Sequence, residues 1–195
     1  MIIASNNKNK ILQFKEILPN FNLKGLKDAG IEIDVEENGE TFEENSFIKA
    51  REIYNITHDS VLADDSGLCI AEYDNWPGVA THRFLGEEAS ATDRNKYILD
   101  RMKSLPHEKR VCTSVCVITL IDRLGRPHVF RGELVGHVST EIRGLNTFGY
   151  DDIFELPDGR TMAELTNQEK YEYSARANAL KQLKEFVDNN PEIKL

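Results

Sequence analysis

The chain has 195 residues, 40% hydrophobic and 29% charged, with a formal net charge of −9. This is the balance of a folded chain with one sizeable core or two tightly joined lobes, and no segment reads as disordered or low in complexity. The acidic surplus excludes a general nucleic-acid or anionic-membrane surface, which needs a basic footprint, but not a nucleotide neutralised by local lysines, arginines and a metal.

Met1-Ile2-Ile3-Ala4 reads as a short strand, broken by Ser5-Asn6-Asn7-Lys8-Asn9-Lys10, residues that favour turns and helix N-caps. Ile11, Leu12, Phe14, Ile17 and Leu18 recur at helical spacing up to Pro19. Strand, polar turn and helix start together gather free N–H groups and the positive end of a helix dipole, a natural phosphate seat to which Lys10 adds a charge. The Gly-rich P-loop pattern is absent.

Phe21 to Leu26 suits a short strand, and Ile31 to Val35 alternates as an extended segment before the acidic Glu36-Glu37-Asn38-Gly39-Glu40. Thr41 and Glu44 form a capping-box pattern that opens a helix through Phe47, Ile48, Ala50, Ile53 and Tyr54, with Lys49 inside it.

Val61-Leu62-Ala63 then runs into Asp64-Asp65-Ser66-Gly67. Desolvating unpaired carboxylates is costly, so the strand is expected to end there and deliver both acids to its carboxyl end, where ligands bind in open α/β sheets. Adjacent acids at such a place hold a hard cation or act as a general base on water, and equally they are ordinary turn residues.

Trp76-Pro77-Gly78 signals a turn, and Thr92 to Met102 a helix capped by Thr92. Val111–Ile121 and Pro127–Val138 form a long hairpin around Asp122-Arg123-Leu124-Gly125, a candidate second lobe beside a cleft. Gly144 to Asp152 is a loop containing glycine and aromatics, Asn167 caps a short helix, and a last helix carries Ala175, Ala179, Leu180, Leu183, Phe186 and Val187. Cys69, Cys112 and Cys116 fit neither a metal spacing nor a disulfide framework, and no apolar run approaches membrane length, so a cytoplasmic protein is expected.

These segments, in order, resemble the inosine/xanthosine triphosphate pyrophosphatase family. The resemblance rests on Ser5-x-Asn7-x-x-Lys10, Glu37 with Thr41-Phe42-x-Glu44-Asn45-x-x-x-Lys49-Ala50, and Ala63-Asp64-Asp65-Ser66-Gly67-Leu68. Phe148-Gly149-Tyr150-Asp151, Ala163-Glu164-Leu165, Lys170 and Ser174-x-Arg176 complete it. It implies a single ITPase-like α/β domain over residues 1–195. The fold is expected to be elongated and two-lobed, with a central mixed β-sheet flanked by helices and a cleft between the lobes. It further implies a cytoplasmic homodimer that uses Mg²⁺ to hydrolyse ITP, dITP and XTP to the monophosphate and pyrophosphate.

By the same resemblance Asp65 is the general base and a metal ligand, and Glu37 the other metal-binding carboxylate. Ser5, Asn6, Asn7, Lys8, Asn9, Lys10 and Ser66 contact phosphates or sugar, and Lys49 binds phosphate. Phe148, Gly149, Tyr150, Asp151, Lys170, Ala175 and Arg176 form the nucleoside pocket. Two positions depart from the family. Ala175 stands where it has histidine and Asp152 where it has proline, and both fall in the expected base pocket. A pyrophosphatase of altered base choice and a nucleotide binder with weak catalysis are the alternatives.

Overall fold

The computed structural model describes residues 1–86, 88–193 and 195. Its elements are β1 (Ile2–Ile3), α1 (Lys8–Ile17), β2 (Lys24–Gly25), α2 (Phe42–Thr57), β3 (Val61–Ile70) and β4 (Trp76–Pro77). Then come α3 (Ala91–Arg101), β5 (Val111–Ile121), β6 (Pro127–Val138), β7 (Phe154–Glu155), α4 (Asn167–Tyr173) and α5 (Ala175–Asn189). The strand order is β2-β1-β3-β5-β6-β7, with β4 paired to β3 off that path. β1 runs parallel to both β2 and β3, while β3–β4 and β6–β7 are antiparallel, so the sheet is mixed.

Two compact units divide the chain, residues 1–65, 116–132 and 176–195 in the first and residues 66–115 and 133–175 in the second. In the first, Ile2 and Ala4, Val61 and Ala63, and Ile121 pack with Ala50 and Ile53 of α2, so that helix covers the sheet there. In the second, Leu68, Ile70, Cys112 and Val138 pack with Ile98 of α3, with Met102 at its end, and with Ile153, Phe154, Met162 and Leu165. The hairpin β5–β6 is not a lobe of its own. Both its strands pass from one unit into the other, and β5 contributes Ile121 to the first core and Cys112 to the second.

Local chemistry fixes the helix starts. Asn7 Oδ1 accepts from the N–H groups of Asn9 and Lys10 at 3.0 and 3.2 Å, capping α1, whose Phe14 is fully buried. Thr41 Oγ1 accepts from Glu44 N–H at 3.1 Å, but the Glu44 carboxylate reaches past the cap to Glu40 N–H at 2.7 Å. Ser90, not Thr92, caps α3 in a full capping box with Asp93, and Thr166, not Asn167, caps α4 with Glu169. In each case the helix starts earlier than expected, and the hydroxyl just before its first residue accepts the free N–H.

Three strand expectations change. The Phe21–Leu26 strand shrinks to Lys24–Gly25, and Ile31–Val35 joins no strand. Most important, β3 does not stop at Asp64: it continues through Asp65, Ser66 and Gly67 to Ile70. The expected break assumed unpaired carboxylates, and these are paired.

Candidate active site

Neighbouring residues of a strand point to opposite faces, so Asp64 and Asp65 meet different surroundings. Asp64 is 2% exposed, and its Oδ2 lies 3.0 Å from Lys10 Nζ of α1 and 2.9 Å from Arg176 Nη2 of α5. Burial alone would raise its pKa. Lys10 and then Arg176 outweigh burial and hold the carboxyl well below the usual carboxylate range. Arg176 is oriented further by Gln13 Oε1 at 2.6 Å, so α1, β3 and α5 are joined through one buried charge network.

Asp65 is 6% exposed and accepts from Asn45 Nδ2 of α2 at 3.1 Å. Burial and the charge of Glu37 push its pKa up to about 6, against the downward pull of Lys49 and the Asn45 hydrogen bond. Lys49 stands between the two acids chemically. Its Nζ donates to the Asp64 carbonyl oxygen at 2.9 Å and pairs with Glu37 Oε1 at 2.8 Å. Burial would lower the lysine pKa, but Asp64 and Glu37 raise it on balance, so the ammonium stays charged. A mid-helix lysine is ordinarily solvated; this one is 14% exposed and fixed.

Among the described residues no group of three or more His, Cys, Asp or Glu side chains is placed to hold a metal. A carboxylate pair suffices for Mg²⁺, which takes one or two carboxylates and fills its octahedron with water and phosphate oxygens. Burial first and then the charge of Glu37 raise the Asp65 pKa, so the two carboxylates repel each other, as a donor pair for one cation would. Cationic Lys10, Lys49 and Arg176 share this unit. Ser5 Oγ accepts from Asn7 N–H at 3.1 Å, ordering the turn, and Asn6, Lys8 and Asn9 are exposed. Asn6 and Lys8 line an open groove of about 760 Å³ with Ile11, Leu12, Ile31 and Ile33.

The second unit holds Ser66, Ala175 and the loop Phe148–Asp151. Gly149 takes φ +62°, a left-handed value that suits glycine, and Asp151 N–H closes the turn on Phe148 O at 3.1 Å. Lys170, 4% exposed, pairs with Asp151 Oδ2 at 2.6 Å and donates to Asn146 O. Tyr150 Oη donates to Thr81 O at 2.7 Å. Ala175 is 3% exposed, buried at the start of α5, and Arg176 turns to Asp64 and Gln13 in the first unit.

Sequence reasoning gave no role to Asn45, Gln13 or Asn95, each of which orients a charged group or a loop. Asn95 left a legible trace. It shares the i, i+3, i+7 stripe with Ile98 and Met102, so it is a polar residue on the buried face of α3.

The chain matches the Ham1 family over residues 1–186. The dITP/XTP pyrophosphatase of Clostridium perfringens is 40% identical over 193 residues, covering 94% of this chain and 95% of that protein. The dITP/XTP pyrophosphatase of Bacillus subtilis is 36% identical over 190 residues, covering 96% of each. The solved Ham1 protein of Staphylococcus aureus superposes with a TM-score of 0.87 at 35% identity, over 97% of this chain and 98% of its own. A HAM1 protein of Coxiella burnetii gives 0.87 at 36%, over 96% and 98%.

Proposed function

The chain belongs to the Ham1 family, and we propose that it hydrolyses non-standard purine nucleoside triphosphates, dITP, ITP and XTP, to the monophosphate and pyrophosphate. That activity keeps such nucleotides out of nucleic acids. The observation that carries the reading is Asp65: a buried carboxylate, aimed by Asn45, lifted to about 6 by burial and Glu37. A base near that value accepts a water proton at neutral pH and releases it readily afterwards.

Attack on a triphosphate is resisted by charge repulsion and by poor orientation of the water. Lys10, Lys49 and the N-terminus of α1 supply positive charge for phosphate oxygens, while Asp65 takes the proton. Glu37 and Asp65 are the residues that would hold Mg²⁺, which when bound supplies charge neutralisation along the phosphates. Phe148 offers a face for a purine, and Asp151 with Lys170 offers polar groups for its edge. Ser5, Asn6, Asn7, Lys8, Asn9 and Ser66 complete the assignment on phosphate and sugar, and Ala175 and Arg176 stay assigned to the nucleoside. Arg176 does this while also fastening Asp64. The proposal takes residues 1–195 as one functional domain, acting as a cytoplasmic homodimer without a nucleic-acid or membrane partner. Among the described residues no helix is long and apolar enough to cross a membrane.

The test offers the purified protein ITP, dITP, XTP, GTP, dATP, dGTP and dTTP with Mg²⁺, quantifying monophosphate and pyrophosphate together. Preferential turnover of dITP and XTP with equimolar pyrophosphate is expected. Equal rates on ITP and GTP would remove the base preference, and orthophosphate in place of pyrophosphate would remove the cleavage position.

A further inference from the structure

Asn95 lies on α3 and is 1% exposed. Its carboxamide nitrogen donates to Gly149 O at 2.9 Å and to Asp152 Oδ1 at 2.5 Å. Both acceptors belong to the turn that presents Phe148, Tyr150 and Asp151. One planar NH₂ group therefore sets the separation between the carbonyl of residue 149 and the carboxyl of residue 152.

The tether has a cost. Asn95 Oδ1 is buried and accepts no hydrogen bond among the described residues, and Asp152 is only 5% exposed, its carboxyl pKa raised by burial. An unsatisfied buried carbonyl and a buried carboxyl both oppose folding. An apolar pair at 95 and 152 would fill the same space without either penalty, at the expense only of the Asn95 bond to Gly149 O. Core stability therefore does not explain the pair, whereas control of the loop does. The other fastenings leave the same gap. Tyr150 is held at its ring by Thr81 and Asp151 at its carboxylate by Lys170. Among the hydrogen bonds described, Asn95 is what fastens the left-handed Gly149, beside Phe148, to a helix.

We propose that Asn95, acting through Gly149 and Asp152, is a positioning residue for base recognition, holding the Phe148–Asp152 turn in the conformation that receives the purine. This rests on the assignment of that loop to the nucleoside. It predicts a defect confined to the nucleoside half of the substrate, because the groups assigned to phosphate are held by α1, α2 and β3 instead.

The experiment uses the full chain and compares Asn95→Ala, the double variant Asn95→Leu with Asp152→Leu, and the conservative Asp152→Asn, which retains an acceptor for the Asn95 amide. Thermal melts by circular dichroism establish that each is folded. The first two should raise KM for dITP and Ki for IMP by about tenfold, with kcat changed by less than about threefold and Ki for inorganic tripolyphosphate unmoved. Asp152→Asn should recover most of the KM and IMP affinity that the double variant loses. Unchanged KM and IMP affinity in a folded double variant overturns the role of Asn95, as does equal loss of IMP and tripolyphosphate binding. Phe148→Ala separates this from the underlying assignment. If it leaves IMP affinity intact, the loop does not bind the base and both readings fall. If it weakens IMP while Asn95→Ala does not, only the tether is wrong.

Discussion

Lys10 Nζ sits 3.0 Å from Asp64 Oδ2, and Arg176 reaches the same oxygen at 2.9 Å. One buried carboxylate thus balances two cations from helices at opposite ends of the sequence. Removing one partner of a buried ion pair leaves the other charges uncompensated, which costs about 3–5 kcal/mol. Asp64→Ala should lower the folding free energy by that order in urea titrations monitored by tryptophan fluorescence. It should also weaken tripolyphosphate binding, since Lys10 loses its anchor. A variant as stable as the parent would mean the network carries no net stability.

Asp65 should behave in the opposite way. Its charge is buried beside Glu37, with one described hydrogen bond from Asn45, so ionisation opposes folding. Asp65→Asn removes the charge and keeps the shape and an acceptor for Asn45. Turnover of dITP should fall by about 10²–10⁴, the usual worth of a positioned base. The urea midpoint should hold or rise. Parent-like turnover would reject Asp65 as the base; a large loss of stability would show that the Asp65 charge supports the fold instead of opposing it.

These two residues show where the sequence was legible and where it was not. Adjacent acids after an apolar run located the site, and the helix periods and the β5–β6 hairpin followed from local pattern. What failed was the inference that β3 must end at Asp64. Pattern sees two charges in a strand but not Lys10 and Arg176, which lie 54 residues upstream and 112 downstream. The same holds for Lys49, which reads as solvated until Glu37 and the Asp64 carbonyl are placed beside it. Caps were misplaced by one or two residues because adjacent hydroxyls and amides compete for the same N–H groups.

Asp122 provides a pH test away from the site. Its carboxylate accepts from the N–H groups of Leu124 and Arg126 at 2.9 and 3.0 Å and from Arg126 Nε at 2.7 Å, closing the β5–β6 turn. Burial would raise its pKa, but the Arg126 N–H, the Arg126 side chain and the Leu124 N–H lower it on balance. A carboxyl held below its unfolded value of 3.8 adds stability above that pH and loses it as pH falls through the folded value. Asp122→Asn should therefore be less stable than the parent at pH 7 by about 1–3 kcal/mol, with the difference shrinking as pH falls below the unfolded value. Denaturant melts at pH 7, 5 and 3 measure this. A difference that persists unchanged at the acid end would show that shape, not ionisation, stabilises the turn.

Arg110 carries the last prediction. Its side chain is 1% exposed, yet the guanidinium faces carbonyls: Nε donates to Val138 O at 2.7 Å, Nη1 to Met102 O at 2.5 Å, and Nη2 to Ser139 O. These are the carbonyl that follows α3, which also accepts from Leu105 N–H at 2.9 Å, and two at and just past the end of β6. The planar fork answers three acceptors at once, and this offsets the desolvation that lowers the arginine pKa. Arg110→Met keeps the volume and takes a charged donor from all three carbonyls, so about 3–5 kcal/mol of stability should be lost. Arg110→Lys should recover only a minor part, because an ammonium at the end of a flexible stem lacks the fixed fork geometry. Urea melts of the two variants decide between geometry and charge. If lysine restored the parent midpoint, the positive charge alone would be what this position needs.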